Sequence, residues 1–449
     1  MRTLPMATPI APDGACCAAC AAQQASAPSG TAVIRRADDR RATFAGLMVA
    51  AGFLTLAAGS IGLTLARGGT AWPALHLVLA GAAGTAIASV LPFFTAALAR
   101  VAPAPGSVRI GAIGLVAGGA FGVTVGVSAG FVPLAVLGGC AYLGGLGLTA
   151  AAAFLPLRSS LGRGPRLVLV AYGVALAQVA IGVTLATAMV AGWAPVVGAW
   201  AALKPAHAWL NVFGFLSVVV AATLLHLAPT VTGSRIRPRR SATLALLALM
   251  TGAPLVALGF AAGWDAVARI GAVAELVGGA GLVLHAIAIQ RDRGRWTSDQ
   301  GWHRFASLSL LAAPVWFLVA TSIAAGRILW LGAAPGAWSV DTIGVPLVLG
   351  WTAQVLIGSW THLVPAIGPG DPVAHAAQRR RLGRAGVARV ATWNGGVALL
   401  MVGLLADARI VTAVGASAIA VGLVVALGLL VGSIPREPVR KATTAVSRT

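Results

Sequence analysis

The chain has 449 residues, of which 58% are hydrophobic and only 10% are charged. That charge density is under half of what a soluble domain carries, and apolar runs of about 20 residues, each long enough to cross a bilayer, recur along the chain. A soluble globular enzyme is thereby excluded. The formal charge of +21 would suit a nucleic acid, but its placement along the chain points to anionic membrane lipids instead.

In chain order, residues 1–41 read as a disordered cytosolic tail. They lack the apolar core of a cleavable signal peptide, so Met1 is expected to stay on the mature chain. "CCAAC" in this tail gathers Cys16, Cys17 and Cys20. They are a candidate site for a soft metal such as Cu(I) or zinc, or else incidental cysteines in an Ala-rich segment. A membrane domain is expected over 42–435, with spans near 44–66, 73–98, 110–130, 132–156, 166–190, 205–229, 242–263, 267–289, 305–325, 343–367, 388–405 and 410–433. A second cytosolic tail follows at 436–449. The expected fold is an all-α polytopic membrane protein of about twelve transmembrane helices. With the N-terminus in the cytosol, the outer loops hold only Arg67, Lys204, Arg269, Arg327 and Arg409, and the remaining Arg and Lys fall inside. Both termini are therefore predicted cytosolic, with the plasma membrane as the location.

Spans 2, 6 and 10 end alike, in "SVLP" (89–92), "HLAP" (226–229) and "HLVP" (362–365). The prolines recur at nearly equal intervals, which divides the chain into three units of four helices. Spans 2, 6 and 10 then take equivalent, inward positions. They also carry much of the intramembrane polar content: His76, His207, Asn211 and Gln354. Such groups are costly in lipid and face a bundle interior. Abundant glycine, 57 residues, lets the helices approach closely.

Twelve spans in three arcs, with polar residues on spans 2, 6 and 10, resemble subunit I of the heme-copper oxidases. A closer resemblance is to the membrane module that precedes cupredoxin domains in bacterial copper oxidases and copper nitrite reductases. It is carried by "HLVLAGAAGTAIASVLPFFTAALAR" (76–100), "HAWLNVFGFLSVVVAATLLHLAPTVTGSRIR" (207–237) and "WTAQVLIGSWTHLVPAIGPG" (351–370), and it covers most of 44–435. The resemblance implies heme and/or copper as cofactor, and electron transfer with a cupredoxin or other redox protein at the outer face. Three departures matter, the first being that span 2 carries Thr85 and Phe93 where the closer resemblance implies further histidines. The outer half of span 10, "IGVPLVLGW" (343–351), has no histidine, and span 7 has no histidine pair. A complete oxygen-reducing site is not expected, and whether the chain is itself an enzyme stays open.

The histidines form two layers, because His207 and His226 are separated by roughly 28 Å along a helix. In the outer layer His76 and His207 are the candidate cofactor ligands, since imidazole suits both iron and copper. Asn211, one turn from His207, would orient the ring. In the inner layer His226, His362 and His285 are a candidate metal set, with His303 and His375 in nearby loops. The alternative for His226 and His362 is a polar cap on the last carbonyls of a helix that ends at the following proline. Glu275, an acid inside span 8, is a candidate proton relay, or else a neutral acid between helices. Trp72, Trp193, Trp200, Trp264, Trp330 and Trp338 are expected as interface anchors. The competing functions are a transporter or channel, and a cofactor-free scaffold for a redox partner.

Overall fold

A computed structural model of the chain describes residues 30–159, 165–237, 239–293, 303–337, 343–367 and 372–433. Among them there is no strand, and twelve helices are long and apolar enough to cross a membrane. They are α1 (Gly30–Arg67), α2 (Trp72–Ala99), α3 (Gly106–Ser128), α4 (Val132–Ser159), α5 (Arg166–Val190) and α6 (Trp200–Thr232). The second half comprises α7 (Arg240–Ala262), α8 (Asp265–Arg291), α9 (Arg304–Leu331), α10 (Val345–Ile367), α11 (Val373–Leu405) and α12 (Arg409–Val431). The chain is a multi-pass membrane protein. "CCAAC" lies outside the described residues.

Local chemistry sets the helix ends. Pro73 and Pro133 stand in the first turns of α2 and α4, where the missing N–H is harmless. Gly233 and Gly263 close α6 and α7 with φ near +67° and +69°, a conformation that a side chain disfavours.

One packing order recurs. The first helix of each four packs on the second: α1 on α2, α5 on α6, α9 on α10. The third and fourth form a close antiparallel pair: α3 with α4, α7 with α8, α11 with α12. The second helices are the inward ones. Of the most apolar stretch, 72% is buried in α2 and in α6 and 83% in α10, against 50% or less in every other span. Each of these three contains a π-helical stretch in its first half, Leu77–Ala83, Trp209–Ser217 and Val345–Ala353, and the stretch in α2 touches those in α6 and α10. The wider turn frees carbonyls from the i–4 ladder, and such stretches often mark functional sites. Ser217 and Thr352 each donate to a carbonyl five residues back, Val212 O at 2.9 Å and Leu347 O at 3.0 Å. A buried aromatic row, Trp209, Phe213, Phe317 and Trp351, ties α6 through α9 to α10 with centroid spacings of 4.1, 6.1 and 4.9 Å.

Three features depart from the expected spans. Helix α1 begins at Gly30, inside the expected tail, because no proline or glycine interrupts it between Gly30 and the membrane. The α11 region is split into Pro372–Leu382 and Gly386–Leu405, with Ala385 at φ 50° between them, so the Arg379–Arg381 cluster sits on a helical segment of its own. Arg109 is not a loop cation. It is fully buried, paired with the Asp39 carboxylate, and donates to Asp39 O (2.9 Å), Thr43 Oγ1 (2.7 Å) and Ser89 O (2.6 Å). It joins α1, α2 and α3 at the arginine-rich end.

Candidate functional site

At the arginine-poor end the structure encloses a cavity of about 810 Å³, the size class of small-molecule and cofactor sites. On α6, Trp200, Lys204, His207 and Asn211 recur at helical spacing and line one wall. On α2, Trp72, His76 and Leu79 line the facing wall. Spans α1, α3, α4, α5 and α10 complete it with mainly apolar side chains, so the two outer-layer histidines share one chamber.

Each imidazole is fixed through Nδ1. His76 Nδ1–H donates to the Trp72 carbonyl oxygen at 3.1 Å, and the Trp72 ring lies against the imidazole with centroids 3.9 Å apart. Trp72 is therefore more than an interface anchor. It covers one face of a candidate ligand and lines the cavity, as Trp200 does. His207 Nδ1–H donates across to the Gly182 carbonyl oxygen of α5 at 2.8 Å. Asn211 Nδ2 lies 3.0 Å from the same nitrogen, and turning the amide over to bring Oδ1 to the ring lets it share the Nδ1–H proton. This is the orienting contact expected from the spacing. With Nδ1–H engaged, a neutral imidazole keeps the Nε2 lone pair for a ligand. Tyr142, also on the cavity, donates to Ala80 O at 3.4 Å, a carbonyl of the π-helical stretch in α2.

The donor set bears on which group would fit. Two imidazoles with fixed tautomers in an apolar chamber would be a suitable donor pair for a heme iron. A copper site with three histidines has no third imidazole on this cavity wall. Among the described residues no three or more His, Cys, Asp or Glu side chains gather as a metal site.

The inner layer splits. His285 lies within electrostatic reach of His226 and Arg239, whereas the His362 ring lies 5.9 Å from that of His303. The candidate set His226, His362 and His285 does not converge, because His226 pairs toward α8 and His362 toward the start of α9. Neither helix ends at its proline. Pro229 and Pro365 lie inside their helices, and Nδ1 of both His226 and His362 is buried without a hydrogen bond. Burial, then the neighbouring His362 and Arg379, hold the His303 imidazole down at a pKa of about 3. Asp292, just beyond α8, is held below the usual carboxylate range by its 2.6 Å hydrogen bond from Arg239.

Glu275 is fully buried where α8 meets α7. The carboxyl lies beside the Ala253 backbone and over Gly252, where a Cβ would meet Oε1 at 2.9 Å. It does not line the cavity. Nearby, Gln178 donates to Met250 O at 3.2 Å, the carbonyl that Pro254 leaves without an in-helix donor. Gln354 is buried as expected, but with Arg389 and Trp393 at a separate void of about 10 Å³.

Gly182, Tyr142 and the placement of Trp72 are features of the candidate site that the sequence did not single out. They depend on contacts between spans, and the only sequence signal is that a small residue stands at 182. No protein-family model matches the chain, and no curated protein matches it.

Proposed function

We propose that this chain is an integral redox module of the plasma membrane that binds a heme through His76 and His207 and exchanges electrons with a cupredoxin or similar protein at its outer face. The observation that carries this reading is the convergence of the two imidazoles on one apolar cavity, each with Nδ1 held by a backbone carbonyl. A bound heme would supply one-electron chemistry. The chain supplies the ligands, their tautomers, and an apolar wall that limits water. The lining comes from the arginine-poor halves of α1 to α6 and of α10, which suits a bound group better than a path across the membrane. The resemblance to heme-copper oxidase subunit I adds support.

The test is an optical spectrum of the purified protein, oxidised and dithionite-reduced, with iron and copper quantified on the same sample. A reducible heme band is expected, lost in His76→Ala and in His207→Ala. Full heme content in the double variant would sink the ligand assignment.

A further inference from the structure

We infer that Lys204 fixes the ligand class of the cavity: a cofactor-sized apolar molecule bearing a carboxylate, with that carboxylate seated at Lys204. This rests on the reading above and deepens it. Lys204 is exposed, stands one turn before His207 on the same face of α6, and is the one charged side chain among the described residues lining the cavity. It forms no ion pair among those residues. Hydroxyls of Thr64, Thr70 and Ser128 line the same chamber. The chamber is therefore amphipathic, with two imidazoles on an otherwise mainly apolar wall and an ammonium close above one of them.

An ammonium one turn from His207 disfavours a bare metal cation there and attracts an acid. A purely hydrocarbon ligand would leave the ammonium unused, and a small inorganic anion would leave the apolar volume unfilled. A planar macrocycle with carboxylate side arms meets the whole surface. No covalent step is involved.

The experiment titrates hemin and hemin dimethyl ester, followed by absorbance, into the full chain in detergent, and into Lys204→Met and Lys204→Arg. Cu(II) is titrated in parallel. Lys204→Met is expected to weaken hemin binding about fivefold, the range of a solvent-exposed ion pair. Lys204→Arg should restore it, and the ester should bind all three proteins alike. Equal loss for acid and ester, or no loss for hemin, would overturn the role of Lys204 while leaving the heme reading intact. Stoichiometric Cu(II) uptake without hemin uptake would overturn the ligand class but not the redox function. Uptake of neither would remove both.

Discussion

His207 reaches from α6 to α5, its Nδ1 2.8 Å from the carbonyl oxygen of Gly182. A mid-helix carbonyl has a second lone pair beyond its helical bond, so the contact costs α5 no hydrogen bond. Its geometry depends on the missing side chain. A Cβ at Gly182 would overlap the Asn211 amide that braces the same ring. Gly182→Ala should therefore displace Asn211 and rotate His207. The expected result is a drop in heme affinity of about 10- to 100-fold, the usual cost of losing an outer-shell partner, with the helical fold retained. Gly59→Ala, where a Cβ meets nothing within 4 Å, should leave affinity unchanged. Heme titration of both variants makes the comparison.

Asn211 itself gives a sharper test of the tautomer. Asn211→Leu keeps the volume but removes the amide 3.0 Å from Nδ1, leaving Gly182 O as the sole partner of Nδ1–H. Affinity should fall by roughly tenfold, and Asn211→Gln should not restore it, because the longer amide cannot take the same position against Gly182. Equal affinities for wild type and Asn211→Leu would remove Asn211 from the site.

Arg109 and Asp39 form a buried ion pair that also engages Thr43 and Ser89. Breaking a buried pair by removing one partner leaves an uncompensated charge and costs about 3–5 kcal/mol. Arg109→Met should lower the thermal midpoint sharply, and Arg109→Met with Asp39→Leu should recover much of the loss. A single variant as stable as wild type would contradict the placement of Arg109 inside the bundle.

The pH dependence at the arginine-rich end follows from His303. Its folded pKa of about 3 lies below the ordinary imidazole value of about 6.5. Between those values the unfolded chain binds a proton that the folded chain does not, so stability falls as pH drops through that window and is level above it. His303→Gln removes the titrating group and should flatten this acid limb, as read by melting curves from pH 7 to pH 4. An unchanged slope would show that other groups dominate.

The membrane class, the twelve spans and the inward position of α2, α6 and α10 were legible because span length and polar content are local properties. So was the shared level of His76 and His207, since each stands near the same end of its span. The rest was not legible for a physical reason. In a membrane bundle both the lipid face and the core face are apolar, so periodicity does not reveal which face packs. Hence Arg109 read as a loop cation although its guanidinium is enclosed by α1 and α2. Likewise Trp72 read as a belt residue although its ring lies on His76. The π-helical stretches have no sequence signature, and they shift side chains relative to α-helical spacing. The inner histidines looked equivalent by the repeat, yet His226 and His362 found different neighbours because α8 and the start of α9 differ.

Glu275 separates a structural acid from a functional one. Its carboxyl is buried between Gly252 and the Ala253 backbone, with no side-chain partner, and it lies off the cavity. Burying an ionised carboxylate without a partner is expensive, so the group is expected to be neutral at pH 7. Glu275→Gln preserves shape and neutrality and should leave both the thermal midpoint and the heme spectrum unchanged. Glu275→Met should be neutral or stabilising by about 1–3 kcal/mol, because a poorly satisfied polar group is exchanged for a well-packed apolar one. A proton relay predicts a different outcome, in which both variants keep their stability and their heme but lose proton uptake coupled to reduction. Measuring pH change in lightly buffered vesicles on dithionite reduction distinguishes the two, and unchanged uptake in Glu275→Gln would assign the residue to packing alone.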